Sequence, residues 1–237
     1  MKIRTFAVVS AVMYFVATIS VLCLLGTDFI LVGLTHTQKF ITAFLVFFFA
    51  LLGTYIRSIG SADWYSRKIL RRTIAILCFI YILIVVDFTL LDDSFGRSIS
   101  SIFSLNKAEL SKHLRENVNF IPFATIKLFI KGYNEGTITL GALLENLFGN
   151  LCVFMPFALF IPMLIPKLNC EWGVFLTTFL TVVLIEILQF IFLTGAMDID
   201  DLILNTLGAM LLYFVAKTKA VSRILARLTY GVWCYNE

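Results

Sequence analysis

The residues best suited to chemistry lie near the C-terminal end of the chain, in the segment Asp198-Ile-Asp-Asp-Leu-Ile-Leu-Asn-Thr-Leu-Gly208. Three carboxylates, those of Asp198, Asp200 and Asp201, stand at the start of an apolar run. Acidic side chains stabilise the positive end of a helix dipole, so the cluster predicts a helix start. Carboxylates can also bind a cation, but nothing else in the sequence resembles a set of metal ligands. We therefore predict capping or ligand contact at this segment, and no metal site.

One face of the predicted helix is polar. Asp201, Asn205 and Gly208 are spaced i, i+4 and i+7, so they share that face. Polar groups on one side of a membrane helix point at protein or water rather than at lipid. We expect this face to contact other helices or to line a polar pocket.

The composition predicts an all-α polytopic membrane protein. Apolar residues make up 60% of the 237 residues, charged residues only 14%, and Phe alone occupies 24 positions. Such a composition excludes a soluble domain and a nucleic-acid-binding protein. The five Cys form no CxxC pair and the two His lie far apart, so neither a zinc site nor another cofactor is indicated.

Six apolar runs approach the length of about 20 residues that a bilayer core requires. We place these spans at about 6–25, 40–56, 73–91, 146–165, 174–194 and 202–216. The expected organisation is an N-terminal transmembrane pair with a basic cytoplasmic loop (1–72), a main domain (73–216) and a basic amphipathic cytoplasmic tail (217–237).

The distribution of Lys and Arg predicts the orientation. Basic residues precede the first span, crowd the stretch from Arg57 to Arg72 and recur in the tail. Because cytoplasmic loops carry the excess of positive charge, both termini are expected in the cytoplasm and the carboxylate cluster outside.

The long loop after the third span, residues 92–145, is then expected on the outer side. Within it we predict a short helix at 105–116 and an interfacial or re-entrant segment at Phe123–Ile130. The helix that follows should begin with Thr137 or Thr139 as its N-cap.

Polar residues from four spans are expected at one depth. A rise of 1.5 Å per residue puts Asp87, Asn150, Gln189 and Asn205 about 6–7 Å below the outer edge, and Glu186 about 12 Å. The shared depth predicts a polar pocket that opens outward. Hydrogen bonds between helices are the alternative for the amides, whereas a carboxyl as deep as Glu186 is costly and favours function.

A second polar face is expected on the fourth span. Asn146 and Asn150 are spaced i, i+4, and Gly149 beside them should permit close approach of another helix.

Three segments in this order resemble the VanZ-like family of bacterial membrane proteins. They are Arg115–Phe123, then Asn146–Asn150 with Phe154–Phe157, and finally Glu186–Gln189 with Asp198–Gly208. The resemblance covers about residues 75–216. Two positions depart from the family's pattern: Ala158 replaces a common Gly, and Ala196 and Met197 stand where an Arg often precedes the acidic segment.

The resemblance implies a role in the bacterial cell envelope. The founding member of the family is linked to resistance to teicoplanin, a lipid-tailed glycopeptide that acts on the outer face of the membrane. Our hypothesis is a non-enzymatic protein whose outward pocket binds an amphiphile, such as a cell-wall precursor lipid or a lipoglycopeptide tail. Arg115 would meet a phosphate or carboxylate, and Glu186 would form the pocket floor. The candidate ligand-binding residues are Arg115, Asn119, Asn150, Glu186, Gln189, Asp198, Asp200, Asp201 and Asn205.

Two other functions stay open. One is an intramembrane enzyme acting on an isoprenoid or phospholipid headgroup, with Glu186 as general base and the Asp trio holding a metal. The lack of a nucleophile–base pair argues against it. The other is a lipid transporter or flippase subunit, which a buried Glu and a Pro-rich span would suit. Membrane lipids are the expected partners in every case, and the oligomeric state stays open.

Overall fold

A computed structural model describes residues 2–30, 36–59, 61–91, 118–192 and 195–233. Within them the chain is helical apart from one short strand pair and the connections. The helices are α1 (Lys2–Ile30), α2 (His36–Ser58), α3 (Asp63–Val86), α4 (Ala124–Asn134), α5 (Leu140–Val153), α6 (Phe157–Leu164), α7 (Glu171–Ile191), α8 (Ile199–Lys217) and α9 (Lys219–Leu228). A π-helical turn, Asp87–Leu91, extends α3, and a 3-10 turn, Pro166–Leu168, precedes α7. The strands are β1 (Val118–Asn119) and β2 (Met197–Asp198).

Six helical segments of the described chain are long and apolar enough to cross a membrane. They are α1, α2, α3, α5 with α6, α7 and α8, with candidate windows at Thr5–Leu22, Ile41–Ser58, Asp63–Val86, Leu140–Leu164, Glu171–Ile191 and Ile199–Lys217. These helices confirm the predicted all-α polytopic architecture. Helices suit a membrane because they satisfy their own backbone hydrogen bonds in lipid.

The helix that contains the third span begins at Asp63, ten residues before the span that was predicted to start at 73. Arg67, Lys68, Arg71 and Arg72 therefore lie on a helix and not in a loop. No helix breaker separates them from the apolar run, and the opposite side of the same turns is buried.

The fourth span is broken in the middle. At Phe154–Pro156 the helical ladder is interrupted, since proline has no N–H to donate. Phe157 N–H bonds the carbonyl of Phe154 instead of that of Val153. The Val153 carbonyl accepts a hydrogen bond from the Tyr81 hydroxyl of α3. The predicted cap at Thr139 is confirmed, as its side chain accepts from Ala142 N–H at 3.2 Å.

The chain divides into two compact units. The first comprises the residues up to Leu77 together with Ala226–Trp233. In it a line of hydroxyls joins three helices, because Thr54 Oγ1 lies 2.8 Å from both Tyr14 Oη and Thr73 Oγ1. Residues 226–233 of the tail thus belong to this unit, and Trp233 is fully buried. The second unit, Cys78–Leu225, carries the candidate site. The boundaries predicted at 72 and 216 stay predictions.

Candidate functional site

A two-residue parallel strand pair brings the end of the long loop to the acidic segment. Val118 pairs with Met197, and Asn119 pairs with Asp198. The Asn119 amide then donates to Asp198 Oδ1 at 3.1 Å and to Thr125 Oγ1 at 3.0 Å, while its oxygen accepts from Ile121 N–H. The pairing fixes where the following helix, α4, begins.

Asp200 supplies the N-terminal cap of α4 from another part of the chain. The cap residue of α4, Phe123, is left-handed with a φ of 66° and makes no capping bond through its side chain. The first N–H groups of a helix have no partner within it. Asp200 Oδ1 accepts from Phe123 N–H, and Oδ2 accepts from Thr125 N–H at 2.9 Å and Ile126 N–H at 3.1 Å. Asp200 is 1% exposed, so this cap is internal.

Asp198 caps its own helix and holds α4 as well. Its Oδ1 accepts from Asp200 N–H at 2.9 Å, as the acidic residues at a helix start predict. Its Oδ2 accepts from the Thr125 hydroxyl at 2.5 Å. Among the described residues, no cation pairs with Asp198 or Asp200. Their charge is balanced by N–H and O–H donors and by the positive ends of two helices.

Glu186 joins the same network from α7. It is 7% exposed, and its Oε2 accepts from the backbone N–H of Asp198 at 3.3 Å. This carboxyl therefore contacts the segment that carries the acidic cluster. Gln189, one turn further along α7, donates to the carbonyl of Thr89 in the π-helical turn at 3.1 Å. It fastens α7 to the end of the third span.

A second polar group lies where α5 meets α8. Asn150 donates to Asp201 Oδ1. On the same face of α8, Gly208 lies so close to α5 that an added Cβ would stand 1.7 Å from the carbonyl oxygen of Leu151. Asp201, Asn205 and Gly208 were predicted to share one face of the helix. Of these three, Asp201 and Gly208 contact α5. The close approach expected at Gly149 is wrong, because the space beside Gly149 is open.

Two amide oxygens on these helices accept no hydrogen bond from the part of the chain that the structure describes. Asn205 is 5% exposed, and its Nδ2 donates to the Asp201 carbonyl at 2.7 Å, but its Oδ1 is buried without a partner. The Oδ1 atom of Asn146 on α5 is buried and unpartnered as well. A buried acceptor that lacks a donor costs free energy, on the order of 1–3 kcal/mol. Each of these oxygens can therefore still accept a hydrogen bond from a donor group.

The structure brings together most of the residues that the sequence predicts for the site. Asn119, Glu186, Asp198 and Asp200 form the network that holds α4. The contact between α5 and α8 contains Asn150, Asp201 and Asn205, whereas Gln189 bonds the π-helical turn. Arg115 and the helix predicted at 105–116 lie outside the described residues.

Two residues of this site were not among the predicted ligand-binding residues, although Asn146 was expected on a polar face with Asn150. Thr125 bonds both Asn119 and Asp198, and Asn146 offers an unused oxygen. The missing cap at Phe123 is the signal for the first, since a helix start without a polar residue needs an acceptor from elsewhere. In the described parts of the chain, no group of three or more His, Cys, Asp or Glu side chains could hold a metal ion.

Comparison with known proteins gives one family. A family model described as VanZ/LLP1 matches residues 77–221, which is more than half of the chain and almost the whole second unit. Neither the search of curated proteins nor the search of solved structures gave a match. The matched range contains the strand pair, the capped helix α4 and the contact of α5 with α8. The chain is a multi-pass membrane protein and belongs to the VanZ/LLP1 family.

Proposed function

We propose that this protein acts in the bacterial cell envelope by binding the headgroup of an amphiphile on the outer side of the membrane. Its link to lipoglycopeptide resistance would follow from that binding. The observation that carries the proposal is that two amide oxygens, on Asn146 of α5 and on Asn205 of α8, are buried without a partner among the described residues. Acceptors without donors inside an apolar bundle favour a ligand that brings donors.

The chemistry of these groups selects the kind of headgroup. Amide and carboxylate oxygens accept hydrogen bonds, so they complement hydroxyl and amide N–H groups such as those of sugars and peptides. Such a headgroup does not depend on a basic residue before the acidic segment, where this chain has Ala196 and Met197. Cell-wall precursor lipids and lipoglycopeptides both carry sugar and peptide donors on an apolar tail. Arg115, in this proposal, meets a phosphate or carboxylate of the same ligand.

The remaining site residues position the binding groups. Asp198 and Asp200 hold α4, and Glu186 supports the backbone of Asp198 from below. Gln189 keeps the end of the third span against α7. The excess of Lys and Arg on the other side of the membrane supports an outward orientation of this region and cytoplasmic termini.

The test is a resistance measurement. The protein, expressed in a teicoplanin-sensitive Gram-positive host, should raise the inhibitory concentration of teicoplanin and leave that of vancomycin unchanged. Asn205→Ala should abolish the rise at a normal membrane level, because the amide's one described bond is to a carbonyl of its own helix.

A matched control is Thr178→Val. Thr178 is 0% exposed and its hydroxyl likewise has no partner among the described residues, but it lies two turns from Glu186 along α7, about 12 Å away in helical rise. This variant should keep the rise. The proposal fails if Asn205→Ala retains full resistance, or if the unaltered protein, shown to be in the membrane, confers none.

A further inference from the structure

The first two turns and a half of α3 present a basic face to the surroundings. Arg67, Lys68, Arg71 and Arg72 are all exposed, and Trp64, 63% exposed, lies on the same side of the helix. These five residues line an open groove of about 420 Å³. The opposite side of the same turns is buried in the first unit, where Ser66, Leu70 and Thr73 are at most 8% exposed. The face is therefore defined by the fold and not only by the local sequence.

No described residue compensates these four charges. Arg57, at the end of α2, lies over the Tyr65 ring with 5.9 Å between the guanidinium carbon and the ring centroid. No such partner and no ion pair is found for Arg67, Lys68, Arg71 or Arg72 among the described residues. Arg67 with Arg71, and Lys68 with Arg72, are like charges at i, i+4, which repel each other. An anion from outside the chain would remove that repulsion.

The position of the face along the span selects the anion. About 20 residues counted back from Leu91 reach Arg72, so the edge of the hydrocarbon core falls there. The basic face then lies at the level of the lipid headgroups. Trp64 has its ring edge-on to Tyr65 at 5.9 Å, and aromatic residues of this kind are enriched at that level. Arginine binds phosphate in a bidentate manner, which suits a phosphodiester held in the groove.

We propose that the exposed basic face of α3 binds the phosphate-bearing headgroup of an anionic phospholipid. This site is independent of the proposed outward function, as every residue in it belongs to the first unit. It is more than an orientation signal: orientation needs only positive charge in the loop, whereas a lipid site needs these side chains together on one face.

The first experiment uses the purified, unaltered protein in a neutral detergent. Phosphatidylglycerol should bind and raise the apparent melting temperature, while phosphatidylcholine at the same concentration should do so far less. Inorganic phosphate should not replace the lipid. Equal responses to the two lipids, or a full response to inorganic phosphate, would overturn the proposal without any variant.

The second experiment locates the site. Arg67→Gln/Arg71→Gln should weaken phosphatidylglycerol binding, measured by native mass spectrometry, by about fivefold for each charge removed. Arg67→Lys/Arg71→Lys keeps the charges but loses the bidentate geometry, so it should bind more tightly than the Gln pair and less tightly than the unaltered protein, which guards against a misfolded variant. The matched control is Lys127→Gln/Lys131→Gln on α4, which removes two exposed charges elsewhere and should bind as the unaltered protein does. If both Gln pairs weaken binding equally, the effect is one of net charge and the site is refuted.

Discussion

Two helix starts in this protein carry clusters of charge, and they use it in opposite ways. At the start of α8, the Asp198 and Asp200 carboxylates are buried and bonded to backbone and side-chain donors. Near the start of α3, four basic side chains are exposed. At the start of α8 the charges hold elements of the fold together, whereas at α3 they face the surroundings.

The largest loss of stability is expected from Gly208→Ala, at the contact between α5 and α8. The added Cβ would overlap the Leu151 carbonyl, so α5 and α8 must separate. We expect a loss on the order of 3 kcal/mol of stability, or failure to accumulate, because overpacking against backbone is poorly relieved. Size-exclusion chromatography in detergent after heating measures it. Gly149→Ala on α5, where the space is open, should be harmless, and comparable instability of both variants would contradict the close packing.

Removing the internal cap should have the next largest effect. Asp200→Ala leaves the N–H groups of Phe123, Thr125 and Ile126 without their acceptor. The expected loss is about 2 kcal/mol, seen as a lower apparent melting temperature. Asp63→Ala, which removes an exposed acid from the first turn of α3, is the matched control and should change stability little. A similar fall for Asp63→Ala would show that the two helix starts do not differ as described.

A smaller loss of stability is expected at the Thr125 hydroxyl, which bonds both Asn119 and Asp198. Thr125→Val keeps the shape but removes the bonds with Asp198 and Asn119. We expect about 1 kcal/mol of lost stability. Thr177→Val, whose hydroxyl bonds only its own helix at Gly173 among the described contacts, should be nearly neutral. No difference between the two valine variants would remove Thr125 from the network.

The smallest effect on stability is expected at the basic face. Arg71→Gln in lipid-free detergent should change the free energy of unfolding by no more than about 0.5 kcal/mol. The apparent melting temperature, which measures this change, should therefore shift little. An exposed cation without a partner contributes little to the fold. A large loss in the absence of lipid would mean that Arg71 has a structural role, and the contrast between the two helix starts would disappear.

The sequence predicted what depends on local pattern. The six spans follow from runs of apolar residues, and the cap at Thr139 follows from a polar residue before such a run. The start of the helix that carries the third span was misplaced because charge was taken as the mark of a loop. A helix tolerates Arg67 to Arg72 when its other side is buried, so composition alone does not mark where the helix begins.

The candidate site was predictable in its residues but not in its connections. Asn119 and Asp198 meet across 79 positions of sequence, and Thr125 and Asp200 across 75. Such contacts depend on how the loop returns to the helix bundle, which no local periodicity encodes. The role of Asp200 as the cap of a distant helix is therefore a property of the tertiary structure. The glycine prediction failed for the same reason, since a small residue permits close packing without choosing which helix provides it.

The break in the fourth span depends on a hydrogen-bond donor that lies earlier in the chain. The Val153 carbonyl, which loses its helical partner near Pro156, is bonded by the Tyr81 hydroxyl of α3. In the bilayer core no water is present to donate a hydrogen bond to an unsatisfied carbonyl. Synthesis runs from the N-terminus, so α3 is translated before the residues of the break. The donor is already present when the acceptor enters the bilayer, and the broken span never has to wait for a later helix to complete it.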